Sequence, residues 1–140
     1  MKKTGFSLVE LMIAVAIVGI LASIAIPSYS AYVRQANRID ATRALTFDAQ
    51  ALERCYSQQF AYAPCTGAAA GASVSSQGYY TVTIAVTAGP PASYSITAVP
   101  LTNPQLLDSS CQTFSVTSAG TQNAKDSGNN DTTKTCWGST

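Results

Sequence analysis

The chain has 140 residues, only 11% of them charged, and a formal net charge of +1; this bounds it to one modest domain with a segment or two outside it and gives no broad field to draw nucleic acid or an anionic membrane. It contains no histidine, which excludes Ser-His-Asp and Cys-His catalysis and removes the commonest zinc ligand besides cysteine. Its four cysteines, Cys55, Cys65, Cys111 and Cys136, lie too far apart for the Cys-x-x-Cys pairs of zinc ribbons, and an even count behind a membrane-directed N-terminus reads as two disulfides in an oxidising compartment.

Residues 1–5 are short and basic and end in Gly5, and residues 6–26 are almost entirely apolar, interrupted by Ser7, Glu10 and Ser23. At about 1.5 Å per residue a helix over this run spans roughly 30 Å, enough to cross the hydrocarbon core of a bilayer. Lys2 and Lys3 stay on the cytoplasmic side and place the remainder outside. Glu10 is out of keeping with its surroundings, because a carboxylate deep in a membrane costs about 2–3 kcal/mol on insertion scales and is normally retained for a partner. No basic side chain lies near it. Cutting the chain just before Phe6 creates an ammonium group at a matching depth. An ordinary secretory signal peptide fits the basic start and the small residues around Ala22, Ser23 and Ala25 only loosely, since Glu10 breaks its apolar region. A plain membrane anchor explains the hydrophobicity but neither Gly5-Phe6 nor Glu10.

The run Lys2-Lys3-Thr4-Gly5-Phe6-Ser7-Leu8-Val9-Glu10-Leu11-Met12-Ile13 closely resembles the leader and first turns of type IV prepilins. The match extends without a gap from about residue 3 to residue 32. The resemblance implies that a dedicated membrane peptidase cuts between Gly5 and Phe6 and methylates the amine of Phe6. It implies that Glu10 pairs with the terminal amine of a neighbouring subunit during assembly. Gly19 and Pro27 match positions where the long helix of the family loosens in the filament. The implied organisation is a leader of residues 1–5, a membrane and filament-core helix of residues 6–28, and a head of residues 29–140 that includes the outer half of the helix.

Helical character continues past Pro27, which lacks an N–H and is expected to kink or locally open the helix. Ala41, Leu45, Ala49, Leu52 and Tyr56 recur at spacings of three and four and form an apolar stripe, with Arg38, Asp40, Arg43, Asp48, Glu53 and Arg54 assigned to the opposite side. One helix is expected over about residues 6–58. Residues 66–77 are rich in Gly, Ala and Ser and read as a surface loop. Residues 79–86, 94–99 and 111–117 alternate with period two and are rich in β-branched and aromatic side chains, so they read as strands. Gly89-Pro90-Pro91 joins the first two as a hairpin. The fold class is α+β: a long N-terminal helix packed by a small antiparallel sheet.

Residues 121–135 are polar and bury too little apolar surface to order themselves. Four cysteines allow three connectivities. Pairing Cys111 with Cys136 closes this stretch into a stapled loop, worth about 3 kcal/mol on the chain-entropy model, and leaves Cys55 with Cys65 to pin the helix end. This pairing agrees with the disulfide-bounded C-terminal region that the resemblance implies.

Asp126, Asn129, Asn130 and Asp131 form an oxygen-rich group, and some pseudopilins hold calcium in their heads. The spacing does not reproduce an EF-hand and lacks its closing glutamate, so the reading is a solvated turn, with no metal and no cofactor. Lys125 and Lys134 face Asp108, Asp126 and Asp131 in the second half of the chain; this leaves room for weak, tip-limited DNA binding and does not indicate strong general binding. The aromatics Tyr29, Tyr32, Phe47, Tyr56, Phe60 and Tyr62 are assigned to core and interface packing. The expected protein is therefore a non-enzymatic pilin, major or minor. The resemblance implies a precursor held in the inner membrane and processed by prepilin peptidase. The assembly machinery then builds it into a surface filament for adhesion, twitching motility or DNA uptake. The alternatives are a membrane-anchored monomeric binding module and a pseudopilin of type II secretion.

Overall fold

The computed structural model describes residues 7–66 and 72–138. The chain divides into two compact units, Met1–Val33 and Arg34–Thr140. Helix α1 runs Leu8–Gln59, so the division falls within it.

In the first unit the apolar side chains of α1 are exposed along its whole length, from Leu8 (74%) to Ile26 (65%). The 18-residue stretch of highest mean hydropathy, 2.6, has none of its residues buried. Pro27 lies inside the helix, and helical residues continue on both sides of it. The ring forfeits one backbone hydrogen bond at that point.

The second unit packs the outer residues of α1 with a five-stranded antiparallel meander, strand order β1-β2-β3-β4-β5. Its strands are β1 Ala72–Val74, β2 Tyr80–Thr87, β3 Ser93–Pro100, β4 Thr113–Thr117 and β5 Gln122–Lys125. A 3₁₀ turn, Ala63–Thr66, follows α1, a second, Gln105–Leu107, joins β3 to β4, and a short helix α2, Thr133–Trp137, follows β5. The inward positions of the strands alternate as a half-buried sheet requires. Tyr80, Val82, Tyr94, Ile96, Ala98, Phe114, Val116 and Ala124 join Ala41, Leu45 and Leu52 of α1 in one core. The register pairs Phe114 with Ala98 on one side and Ala124 on the other. The large ring thus sits between two small neighbours, and Tyr80 meets its edge at 5.7 Å and 89°.

The expected architecture is seen, with a larger sheet than the sequence indicated. Residues 72–74 pair with β2 where a loop was expected, because an edge strand needs a backbone partner more than an apolar pattern. Residues 121–135 were expected to form a loop held by the Cys111–Cys136 bond and instead form β5 and most of α2. Their order comes from the backbone: β5 pairs with β4, Thr132 N–H donates to the Ala124 carbonyl, and the Ala124 N–H donates to Thr133 Oγ1 at 2.9 Å. Ala124 is the one buried side chain of β5. Among the aromatics, Tyr56 and Tyr62 stack at 4.4 Å, while Tyr29, Tyr32, Phe47 and Phe60 are exposed.

Burial pushes the Tyr80 phenol up to about 12 from its ordinary 10.0, and burial together with the nearby Glu53 carboxylate pushes Tyr94 up as well. The unfolded chain therefore releases these protons first as the pH passes about 10, while the native chain still holds them. Native stability is expected to be level from pH 8 to 9.5 and to fall progressively between pH 10 and 12. Urea midpoints across that range check this, and Tyr80→Phe is expected to flatten the alkaline limb.

Candidate functional site

The described structure begins beyond Gly5 and Phe6, so the processing junction read from the sequence lies outside the described residues. Glu10 sits in the first turn of α1 among exposed Val9, Leu11, Met12 and Ile13, and no ion pair involves it among the described residues. Nothing lies within 4 Å of a Cβ built on Gly19. This stretch is an apolar surface with one carboxylate on it.

The head is organised by buried or nearly buried polar groups, among them Arg38 and Asp40, which were expected on the side of the helix opposite its apolar stripe. Arg38 donates from Nε to Asp108 Oδ2 at 2.7 Å and from one terminal nitrogen to Oδ1 at 2.9 Å, and the two side chains are only 13% and 3% exposed. Asp40, 1% exposed, accepts from the Ser75 and Ser76 hydroxyls and from the N–H groups of Gln77 and Tyr79. It thus gathers the turn that leads into β2. The fully buried Gln105 donates from Nε2 to the Arg34 carbonyl at 3.1 Å and to Tyr80 Oη at 2.7 Å. Arg38, three residues before Ala41, belongs to the same helical stripe, and that spacing is the signal by which it could have been found. Asp108 carries no comparable pattern.

Cys55 is joined to Cys65, with 10 residues of sequence separation, and Cys111 to Cys136, with 25. The second bond bounds β4, β5 and most of α2. Trp137 packs edge-on to Phe114 and donates from Nε1 to the Asn123 carbonyl at 3.0 Å. A hollow of about 490 Å³ is lined by Thr46, Gln50, Arg54, Gln122 and Trp137, among others. Asp126 accepts from Asn130 Nδ2 and from the N–H groups of Asn130 and Gly128, which hold its carboxyl below the usual range. Asp131 is likewise held down by the hydroxyl and N–H of Thr133. These donors come from the turn itself, and no group of three or more metal-ligating side chains occurs among the described residues.

A profile described as "Type IV minor pilin ComP, DNA uptake sequence receptor" matches residues 27–115. The chain belongs to this family of type IV minor pilins. A second profile, the prokaryotic N-terminal methylation motif, matches residues 1–26. The pilin is 38% identical over 84 residues to the fimbrial protein EcpC of Eikenella corrodens, covering 60% of this chain and 54% of the relative. It is 34% identical over 70 residues to the prepilin peptidase-dependent protein D of Escherichia coli (strain K12), covering 50% and 48%. It is 59% identical over 32 residues to a fimbrial protein of Moraxella nonliquefaciens, covering 23% and 21%. The matched part of the pilin spans about half the length of the first two of these relatives. Both the head-side profile and the methylation motif thus fall on one pilin subunit with an exposed apolar helix and an α+β head.

Proposed function

We propose that this pilin is made as an inner-membrane precursor, cut between Gly5 and Phe6 by prepilin peptidase, and assembled as a minor component of a surface pilus, where its head contacts DNA. The role is structural and recognitive, not catalytic. The observation that carries the DNA reading is the family match over residues 27–115, since charge alone does not call for it. Lys2, Lys3 and Glu10 aside, the chain carries six basic and six acidic side chains, so its field is neutral overall. Affinity must therefore come from a local surface.

The region around Trp137 offers one. Arg54 shares the hollow with Trp137 and Gln122, Lys134 lies on α2 one turn before Trp137, and α2 packs on β5, which ends at Lys125. All three cations are exposed, and none has an ion pair among the described residues. Guanidinium and amide groups can reach base edges or phosphates, and the indole supplies a flat apolar surface.

The test uses the processed full-length pilin in detergent and a labelled DNA duplex, followed by anisotropy as NaCl is raised. Three phosphate contacts at about 0.9 each predict that log K falls against log salt with a slope of about −3. The triple variant R54Q/K125Q/K134Q is expected to bring the slope near zero and to lose most of the binding. No binding at low salt sinks the receptor reading, and an unchanged slope in the triple variant moves the site elsewhere on the head.

A further inference from the structure

The turn between β3 and β4 presents apolar side chains outward on a frame that cannot readily move. Leu106 is 50% exposed and Leu107 69%, yet the residues flanking them are anchored deeply. Gln105, fully buried, is bonded to the Arg34 carbonyl and to Tyr80. Asp108 is held by both nitrogens of the Arg38 fork. The Leu106 and Leu107 N–H groups donate to the Thr102 and Pro104 carbonyls, and Gln112 Nε2 donates to the Leu106 and Asp108 carbonyls. Such fixation costs conformational entropy, and its product is an apolar knob facing solvent, where the hydrophobic effect opposes it.

We propose that Leu106 and Leu107 form a docking surface for the apolar N-terminal helix of a neighbouring pilin subunit in the filament. The occupant is a feature of this chain: residues 8–26 are an apolar helical segment exposed along its whole length, and outside the membrane that surface requires apolar cover. An open helical assembly is built from heterologous contacts, in which one patch on each subunit meets a different patch on the next. The uncovered helix supplies one patch and the leucine turn the other. The turn is fastened to α1 at Arg34 and Arg38, the opening residues of the head unit. The inference rests on the pilin reading and adds a named head contact to it.

The test places a photo-crosslinking phenylalanine analogue at Leu107 in cells that assemble pili, with the same analogue at Met12 as control. Irradiated filaments are sheared, digested and analysed by mass spectrometry. The expected product joins position 107 to the apolar N-terminal peptide of a neighbouring pilin subunit. Crosslinks from position 107 only to other head peptides, or none while the Met12 control reacts, would overturn the proposal and leave the pilin reading standing. Absence of the protein from filaments, with neither position crosslinking to a pilin, would overturn both. In parallel, L106S/L107S is expected to keep the thermal midpoint of the head, because both side chains are exposed, and to lower the filament-borne amount about tenfold. Unchanged incorporation of this variant would also count against the contact.

Discussion

Replacing Glu10 by alanine is expected to remove the protein almost entirely from sheared filaments while leaving its membrane pool unchanged. The carboxylate stands in the first turn of α1, among exposed apolar side chains, where lipid or another helix would surround it. An unpaired carboxylate at depth costs about 2–3 kcal/mol on insertion scales, and on the proposed processing the amine of a neighbouring subunit, freed by cutting before Phe6, would offset that cost on assembly. Each 1.4 kcal/mol of lost association is a tenfold change. A deficit of tenfold or more is therefore expected from this one substitution, and Glu10→Gln should be intermediate because it keeps a polar acceptor without the charge. Quantitative immunoblots of filament and membrane fractions decide the matter. A variant that enters filaments as the parent does would show that assembly does not depend on the Glu10 carboxylate.

Asp108→Ala is expected to be the most damaging single change in the head. It removes the partner of a nearly buried guanidinium, and breaking a buried pair by deleting one member typically costs about 3–5 kcal/mol. For a unit of this size that corresponds to a fall in melting midpoint on the order of 15 °C. The loss comes from the orphaned Arg38 rather than from the vanished attraction. The double variant R38M/D108L should therefore recover most of the stability, since a well-packed apolar pair replaces the ion pair at similar volume. Circular dichroism melts of the parent and the two variants check the order; a double variant no better than Asp108→Ala would show that the geometry of the fork, and not the stranded charge, holds the turn.

The parts of the fold that could be read in advance are those governed by periodicity. Ala41, Leu45 and Leu52 lie on the predicted stripe, and all three are buried. The three alternating runs became β2, β3 and β4, and the Pro90-Pro91 turn connects a paired hairpin. What escaped prediction is governed by hydrogen bonding between distant segments, which leaves no local pattern. Asp40 is separated by 35 residues of sequence from the Ser75 hydroxyl it binds, and Arg38 by 70 from Asp108. Arg38 and Asp40 were assigned to the side opposite the apolar stripe by their chemistry, and the structure takes these two out of water because each finds enough partners to replace it. β5 escaped for a related reason: Gln122, Asn123 and Lys125 are exposed, and the strand exists because its backbone completes the β4 edge. The apolar helix and Glu10 stood out from composition alone, whereas Leu106 and Leu107 gave no signal until the anchoring of their turn was visible.

The order of the strands bears on how the head is made. In a meander every strand finds its partner next to it along the chain, so the sheet can grow hairpin by hairpin as the polypeptide emerges from the membrane. The disulfides follow the same order: Cys55 and Cys65 both precede Cys111 and Cys136 along the chain and can pair before the later two appear, and neither loop encloses the other. An oxidant that simply joins cysteines in their order of arrival thus reaches the native pairs at once, and the head has no need of a disulfide-shuffling step before the subunit is drawn into a filament.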